Sequence, residues 1–192
     1  MEIRYAKIIA GELTEQFSPF CERIKIASSI RRHKPNVKDI EIVATPKPGL
    51  DIFGQPDRTG PTAIDKVFNS FMINRGGRYL QGAQRYKKAH LAEGIVLDMF
   101  LVLPPAQWGV IFAIRTGPAK FSQWLVTPRR HGGALPSYCR VRDGGVYKAG
   151  AKVQGPGMVS FLCRKKRIFL ICLAWTGLSR RRGGRNENHL SV

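Results

Sequence analysis

Carboxylates are scarce in this chain. Its 192 residues include 13 Asp and Glu against 32 Lys and Arg, a formal net charge of +19. An excess of that size argues for a polyanionic partner, nucleic acid first and an anionic membrane surface second; the competing reading is charge that only solubilises. Cysteine is sparse as well. No two of Cys21, Cys139, Cys163 and Cys172 are spaced as a zinc knuckle or a redox pair, and no histidine completes a metal set. A disulfide framework is not expected at this length, so the four read as reduced thiols in a cytosolic setting. Long apolar runs are missing. The longest near the C-terminus, 168–175, is far too short to span a bilayer. The opening MEIRYAKIIA is charged and amphipathic, unlike a signal peptide. No internal repeat is visible. What remains is 43% apolar, enough to build a core in one ordinary domain or two small subdomains. A soluble protein is expected.

Periodicity then gives the elements. Ile3, Ala6, Ile9, Ala10 and Leu13 follow helical spacing, and Ser18-Pro19 starts a turn. Residues 23–27 alternate as a strand, 28–38 are polar and turn-prone, and Asp39–Pro46 reads as a second strand. Its alternation puts Asp39, Glu41 and Val43 on one face and Ile40, Ile42 and Ala44 on the other. Residues 47–62 form a Gly/Pro-rich linker before a short helix at Ala63–Asn74. A basic hairpin is expected with strands near 78–81 and 86–89. Residues 94–105 are the strongest strand, interrupted by the single charge of Asp98. Helices are expected at 104–117, ended by Gly117-Pro118, and at 119–130, stopped near Pro128. Asp143-Gly144-Gly145 supplies the turn of a last hairpin.

Three acids thus lie in apolar strands, where an isolated carboxylate is costly to bury. Asp39 and Glu41 share a face, and if the Asp98 strand pairs nearby all three converge. Like charges at that range need protons or a cation, and oxygen-only ligands suit Mg²⁺ or Mn²⁺. The alternative is an edge strand with its acids in water. The segment SSIRR, ten residues before DIE, favours the cation. A small-residue turn after a strand offers backbone N–H groups to phosphate, Ser29 adds a hydroxyl, and Arg32 can grip phosphate oxygens bidentately.

At these residues the chain resembles the family X, polymerase beta-like, DNA polymerases. ASSIRRHKPNVKDIEIV resembles the family's Gly-Ser-x-Arg-Arg … Gly-Asp-x-Asp motif, without gaps. VLDMFLV is similar to the strand carrying the third metal-binding aspartate. WGVIFAIRTGPAKFSQWL is similar to the segment with the Thr-Gly sugar turn, and YCRVRDGGVYK to a hairpin of the thumb. The resemblance covers about residues 21–148. It implies that Asp39, Glu41 and Asp98 are the metal ligands and catalytic acids, and that Asp98 also acts on the primer hydroxyl. It implies that Ser28, Ser29 and Arg32 meet the triphosphate, and that Thr116 and Gly117 line the sugar pocket. Ser28 stands where the family usually has Gly, Glu41 where Asp is usual, Lys38 in place of a Gly, and Ile114-Arg115 in place of an aromatic pair. Pro118 follows Gly117 where the family often holds a cis peptide, a geometry that proline makes cheaper.

Only about 25 residues precede the motif, so the chain resembles the minimal palm-plus-thumb viral and phage members. DNA grip is then expected from scattered charge: Arg75, Arg78, Arg85, Lys87, Lys88, Arg129 and Arg130 on the backbone. Tyr79 and Tyr86 either stack on bases or sit half-buried in strands. The last segment, 161–192, carries 8 basic residues and one acid, leaving a net +12 for residues 1–160. The resemblance implies an acidic ending instead. Back-translation with a two-base shift allows QKKEDIFNLLGLDWVEP, so a frameshift near residue 160 competes with a genuine basic tail; resequencing the gene separates the two.

The expectation is an α+β fold: a nucleotidyltransferase palm with a mixed β-sheet flanked by helices at 1–105, a small thumb-like subdomain at 106–160, and an atypical basic tail. The function expected is metal-dependent nucleotidyl transfer, a DNA polymerase of repair or gap-filling type using Mg²⁺ (or Mn²⁺), dNTP and primer-template or gapped DNA, monomeric, in the cytoplasm of a bacterium or phage-infected cell. The alternatives are transfer to RNA, protein or a small molecule, and an inactive DNA-binding remnant.

Overall fold

A computed structural model describes residues 1–148 and the strand backbone of 151–152; Cys163, Cys172 and the basic tail lie outside the described residues. The chain opens with helix α1 (Ile3–Phe17), whose buried Ala6, Ile9, Ala10, Leu13 and Phe17 recur at helical spacing along one face. A single 3₁₀ turn leads into β1 (Cys21–Ile26), then the four-residue helix α2 (Ser28–Arg31) and β2 (Asp39–Pro46). Where a featureless linker is expected, β3 (Gly49–Leu50) and β4 (Pro56–Asp57) form a small ribbon. Asp51 closes its tip by accepting the N–H groups of Phe53 and Gln55, a local side-chain substitute for longer strand pairing. Helix α3 (Ala63–Asn74) starts at a capping box in which Thr62 and Asp65 satisfy each other's backbone N–H.

Strands β5 (Arg78–Ala83), β6 (Tyr86–His90) and β7 (Val96–Leu101) complete a five-stranded sheet of order β1-β2-β7-β6-β5. Only β2 and β7 run parallel, so the sheet is mixed. Its two central strands need a long crossover, which α3 and the β5–β6 hairpin supply. Helices α1 and α3 bury one face. Ile40, Ile42, Leu97 and Met99 are fully inaccessible there, and Phe17 stacks on Phe68 at 5.6 Å.

After the sheet come α4 (Trp108–Thr116), α5 (Ala119–Val126), and the strands β8 (Cys139–Arg142), β9 (Gly145–Lys148) and β10 (Ala151–Lys152). Helices α4 and α5 and strands β8 and β9 gather a separate core around Val110, Leu125, Leu135 and Val146. A third cluster, Ala27, Val43, Val102 and Phe112, joins α4 to the face of the sheet opposite α1 and α3. Helix α4 begins at Trp108, after a cis bond between Pro104 and Pro105. The cis peptide expected at Gly117-Pro118 is not there: that bond is trans, and Gly117 is extended, with φ −71° and ψ 159°. Helix α5 ends at Val126 because Thr127 turns extended ahead of Pro128, a residue that disfavours a helical neighbour before it.

Candidate active site

Hydrophobic alternation fixes where the acids go. With Ile40, Ile42, Leu97 and Met99 committed to the core, Asp39, Glu41 and Asp98 must emerge on the opposite face, and a one-residue slip would bury all three. Parallel pairing sets Glu41 directly across from Asp98, and Asp39 across from Val96. All three side chains are half-buried. The Glu41 carboxyl is pushed above its usual range, first by burial and then by the charges of Asp39 and Asp98; a hydrogen bond from Ser28 and the charge of Arg115 pull the other way. Asp98 has its own partners. It accepts the Tyr86 hydroxyl, and the Lys88 ammonium stands 4.0 Å away. Burial, then that donated bond, raises the Tyr86 phenol well above its ordinary pKa.

The turn before β2 lies beside the acids. Ser28 adopts a left-handed backbone, φ 51°, at the position where the resemblance implies glycine. Strain of that kind costs a non-glycine residue roughly 1 kcal/mol and is concentrated at functional sites. Its hydroxyl reaches Glu41. The next hydroxyl, Ser29 Oγ, is buried without a partner. Arg32 donates from Nη1 to the Thr116 carbonyl, while its buried Nε has no partner. Thr116 is fully inaccessible and its Oγ1 is also unsatisfied. Such atoms are costly unless something meets them. Of the residues that the resemblance implies for phosphate and sugar, Arg32 and Thr116 are thus in contact, between α2 and the end of α4. Gly117, next in the chain, is tightly packed: a Cβ there would lie 2.6 Å from the Phe121 ring and 2.9 Å from Ser122 Oγ.

A cleft of about 650 Å³ opens over Glu41 and Asp98; Asp39 does not line it, and neither do Ser28, Ser29, Arg32, Thr116 and Gly117. Glu41, Asp98 and Tyr86 form its floor, Arg85 and Arg115 its basic walls, and the β8–β9 turn, Asp143-Gly144, its far side. Arg115 rests over the Phe100 ring at 3.8 Å. Gln107, just ahead of α4, pins the hairpin: its N–H donates to the Gly144 carbonyl and its Oε1 accepts the Val146 N–H, both at 2.9 Å. Sequence reasoning missed Arg115 and Asp143 as cleft residues. Asp143 reads in sequence only as a turn former, and nothing local says which strand pair that turn will face.

The seven basic residues expected on DNA divide. Arg85 lines the cleft, Lys88 neighbours Asp98, Arg78 is exposed on the edge strand β5, and Arg129 and Arg130 are exposed beyond α5. Arg75 is held at 2.6 Å by both Glu12 and Glu93. Lys87 is 8% exposed and ion-pairs with Asp65 of α3. The two-residue alternation of β6 sends it to the helix-covered face with Ala89, so its charge is spent inside the fold. Tyr79 packs edge-on against Phe68, and Tyr86 tilts against Phe100.

Among the described residues, no three His, Cys, Asp and Glu side chains close into a ligand cluster. The acids do fit a hard divalent cation in kind: the donors are all oxygen, and Glu41 feels the charge of both aspartates.

No protein-family model matches the chain, and no curated protein does either. Solved structures do. The chain is similar to Leishmania infantum polymerase beta in its ternary gap complex, with TM-score 0.54, 14% identity, and coverage of 86% of this chain and 55% of that one. It is similar to the same enzyme's ternary P/T complex, with TM-score 0.57, 14% identity, and coverage of 88% and 62%. The fold is polymerase beta-like. The chain spans little more than half the length of those structures. No helix among the described residues is long and apolar enough to cross a membrane.

Proposed function

We propose that this chain is a metal-dependent nucleotidyltransferase that adds deoxynucleotides to a DNA 3′-hydroxyl. One observation carries the reading: Glu41 and Asp98 stand in register on the parallel strand pair, with Asp39 on the same face, beside a turn whose Ser29 and Arg32 have unsatisfied buried donors. The polymerase beta-like fold supports it. Asp39, Glu41 and Asp98 would hold Mg²⁺ or Mn²⁺, which when bound lowers the pKa of the attacking hydroxyl and offsets the triphosphate charge.

The chain's own residues do the rest. Ser29 and Arg32 donate to triphosphate oxygens, and Thr116 and Gly117 line the sugar. The 3′-oxygen attacks the α-phosphorus, its proton passes to Asp98, and the bond to the departing pyrophosphate breaks. Arg85 and Arg115 flank the cleft as counter-charges for the strand or the pyrophosphate.

A second reading, an inactive DNA-binding remnant, is favoured by the Tyr86 bond and the Lys88 charge that already occupy Asp98. Primer extension on gapped DNA with Mg²⁺ or Mn²⁺ separates the two. Extension is expected, falling on the order of 10²–10³-fold in Asp98→Asn, as when one charge-stabilising group is lost. Activity that survives this substitution sinks the site assignment. Absence of extension in the unaltered chain, with DNA binding retained, selects the remnant.

A further inference from the structure

Strands β6 and β7 set Lys88 directly opposite Asp98, and Tyr86 opposite Phe100. Tyr86 is therefore a diagonal neighbour of Asp98 on the cleft face, within reach of an aromatic side chain. Its ring tilts against Phe100, with centroids 5.2 Å apart, and that contact aims the hydroxyl. The hydroxyl donates to Asp98 Oδ1. Lys88 Nζ stands 4.0 Å from the same oxygen, beyond hydrogen-bond reach. Among the described residues, no hydrogen bond or ion pair reaches Oδ2. One oxygen of Asp98 is engaged and the other is open.

Burial alone does not call for this bond. Tyr86 is half-buried and lines the acid cleft, where water serves a hydroxyl nearly as well. The type of donor matters too. A phenol is neutral, so it fixes the carboxylate without setting a positive charge against an incoming cation, as a bonded lysine would. Glu41 is treated in the same way, by the Ser28 hydroxyl. Ser28 follows β1 and Tyr86 stands on β6, so the two neutral donors flank the in-register pair on β2 and β7. A carboxylate free to turn about χ2 offers its two oxygens interchangeably; one held at Oδ1 does not.

We propose that Tyr86 is a positioning residue that, by holding Oδ1, presents Asp98 to the divalent cation through Oδ2. The inference rests on the reading of Asp39, Glu41 and Asp98 as metal ligands. On the remnant reading the same bond only blocks Asp98, so the two readings give opposite signs when the bond is removed.

The test is the Mn²⁺ affinity of the full chain, without DNA or nucleotide, read by EPR as loss of the free-ion signal. Tyr86→Phe keeps the ring against Phe100 and deletes only the bond, so its melting temperature should stay within a few degrees of the unaltered chain's. Its Kd for Mn²⁺ should rise about 10–100-fold, the cost typical of losing a hydrogen bond behind a metal ligand. In primer extension, the Mn²⁺ concentration that gives half the maximal rate should rise by a similar factor. In the Asp98→Asn background, Tyr86→Phe should change the residual Kd by less than about twofold, because the bond acts only through that carboxylate. Unchanged or tighter Mn²⁺ binding in Tyr86→Phe overturns the proposal. An equal loss in the Asp98→Asn background overturns it too, since it reports a general disturbance of the fold. Failure of the underlying reading looks different: the unaltered chain takes up no Mn²⁺, or Asp98→Asn binds it as tightly as the unaltered chain, and either result overturns both. If the unaltered chain binds Mn²⁺ and extends primers while Tyr86→Phe matches it, the positioning role alone falls.

Discussion

The two faces of the β2–β7 strand pair carry opposite chemistry on one backbone. Toward α1 and α3 they present Ile40, Ile42, Leu97 and Met99, all fully buried. Toward the cleft they present Asp39, Glu41 and Asp98, half-buried and mutually repelling. The difference teaches how such a site is kept. Carboxylates at this spacing oppose folding, so their register must be imposed from elsewhere, and the apolar face imposes it. The strongest way to break the comparison is therefore from behind. Ile42→Ala should lower unfolding free energy by about 2–5 kcal/mol, the range for removing a large aliphatic side chain from a packed interior. Denaturant unfolding checks this. A loss well under 1 kcal/mol would mean that the helix-covered face does not set the register.

The alternation of β6 yields a second contrast, between neighbours. Lys88 faces the cleft near Asp98, while Lys87 is buried against Asp65. Burial alone would push the Asp65 carboxyl up, but hydrogen bonds from Lys87 and Thr62 outweigh it and hold the pKa below its ordinary value. A depressed carboxyl contributes stability that is present above its unfolded pKa and is lost as pH falls through the folded one. Lys87→Met should thus cost about 3 kcal/mol at neutral pH by stranding a buried charge, and much less in acid. Lys88→Met, one residue on, should leave stability nearly unchanged. Equal costs at the two positions would erase the contrast.

What sequence could reveal follows the range of the interaction. Asp39–Pro46 and Ala63–Asn74 are readable to the residue because period-2 alternation and the end of a Gly/Pro-rich stretch are local. The sharing of a face by Asp39 and Glu41 follows from the same alternation. The pairing of Glu41 with Asp98 does not, since 57 positions of chain separate the two. Nor does the fate of Lys87: a basic residue in a basic stretch reads as solvated, and only the docking of α3 supplies Asp65. The turn at Asp143 is local, but its place on the rim of the acid cleft depends on how distant elements stack, which no local pattern encodes.

Within the phosphate turn the contrast is finer. Ser28 combines a strained backbone with a bond to Glu41. Ser28→Gly relieves roughly 1 kcal/mol of strain but removes that bond and frees the unfolded chain. A net change within about 1 kcal/mol is expected, and the Glu41 carboxyl should rise further, seen by NMR titration of its side chain. A fall would show that the Ser28 hydroxyl does not stabilise the ionised form.

Glu41→Gln gives the smallest effect and the clearest sign. The Glu41 carboxyl is raised in the folded protein, by burial before anything else. A group raised on folding favours the folded state while protonated, and that contribution disappears as pH climbs through the folded pKa. At neutral pH the ionised side chain is thus a net burden, which the neutral amide lacks. Glu41→Gln should raise the melting temperature slightly at pH 7, and the gain should vanish below the ordinary glutamate value of about 4.5. Asp39→Asn and Asp98→Asn, measured beside it, should shift the same way if the three charges repel one another. If Glu41→Gln is instead less stable at pH 7, the Ser28 and Arg115 contacts outweigh the burial and repulsion, and the acid face already neutralises itself without a cation.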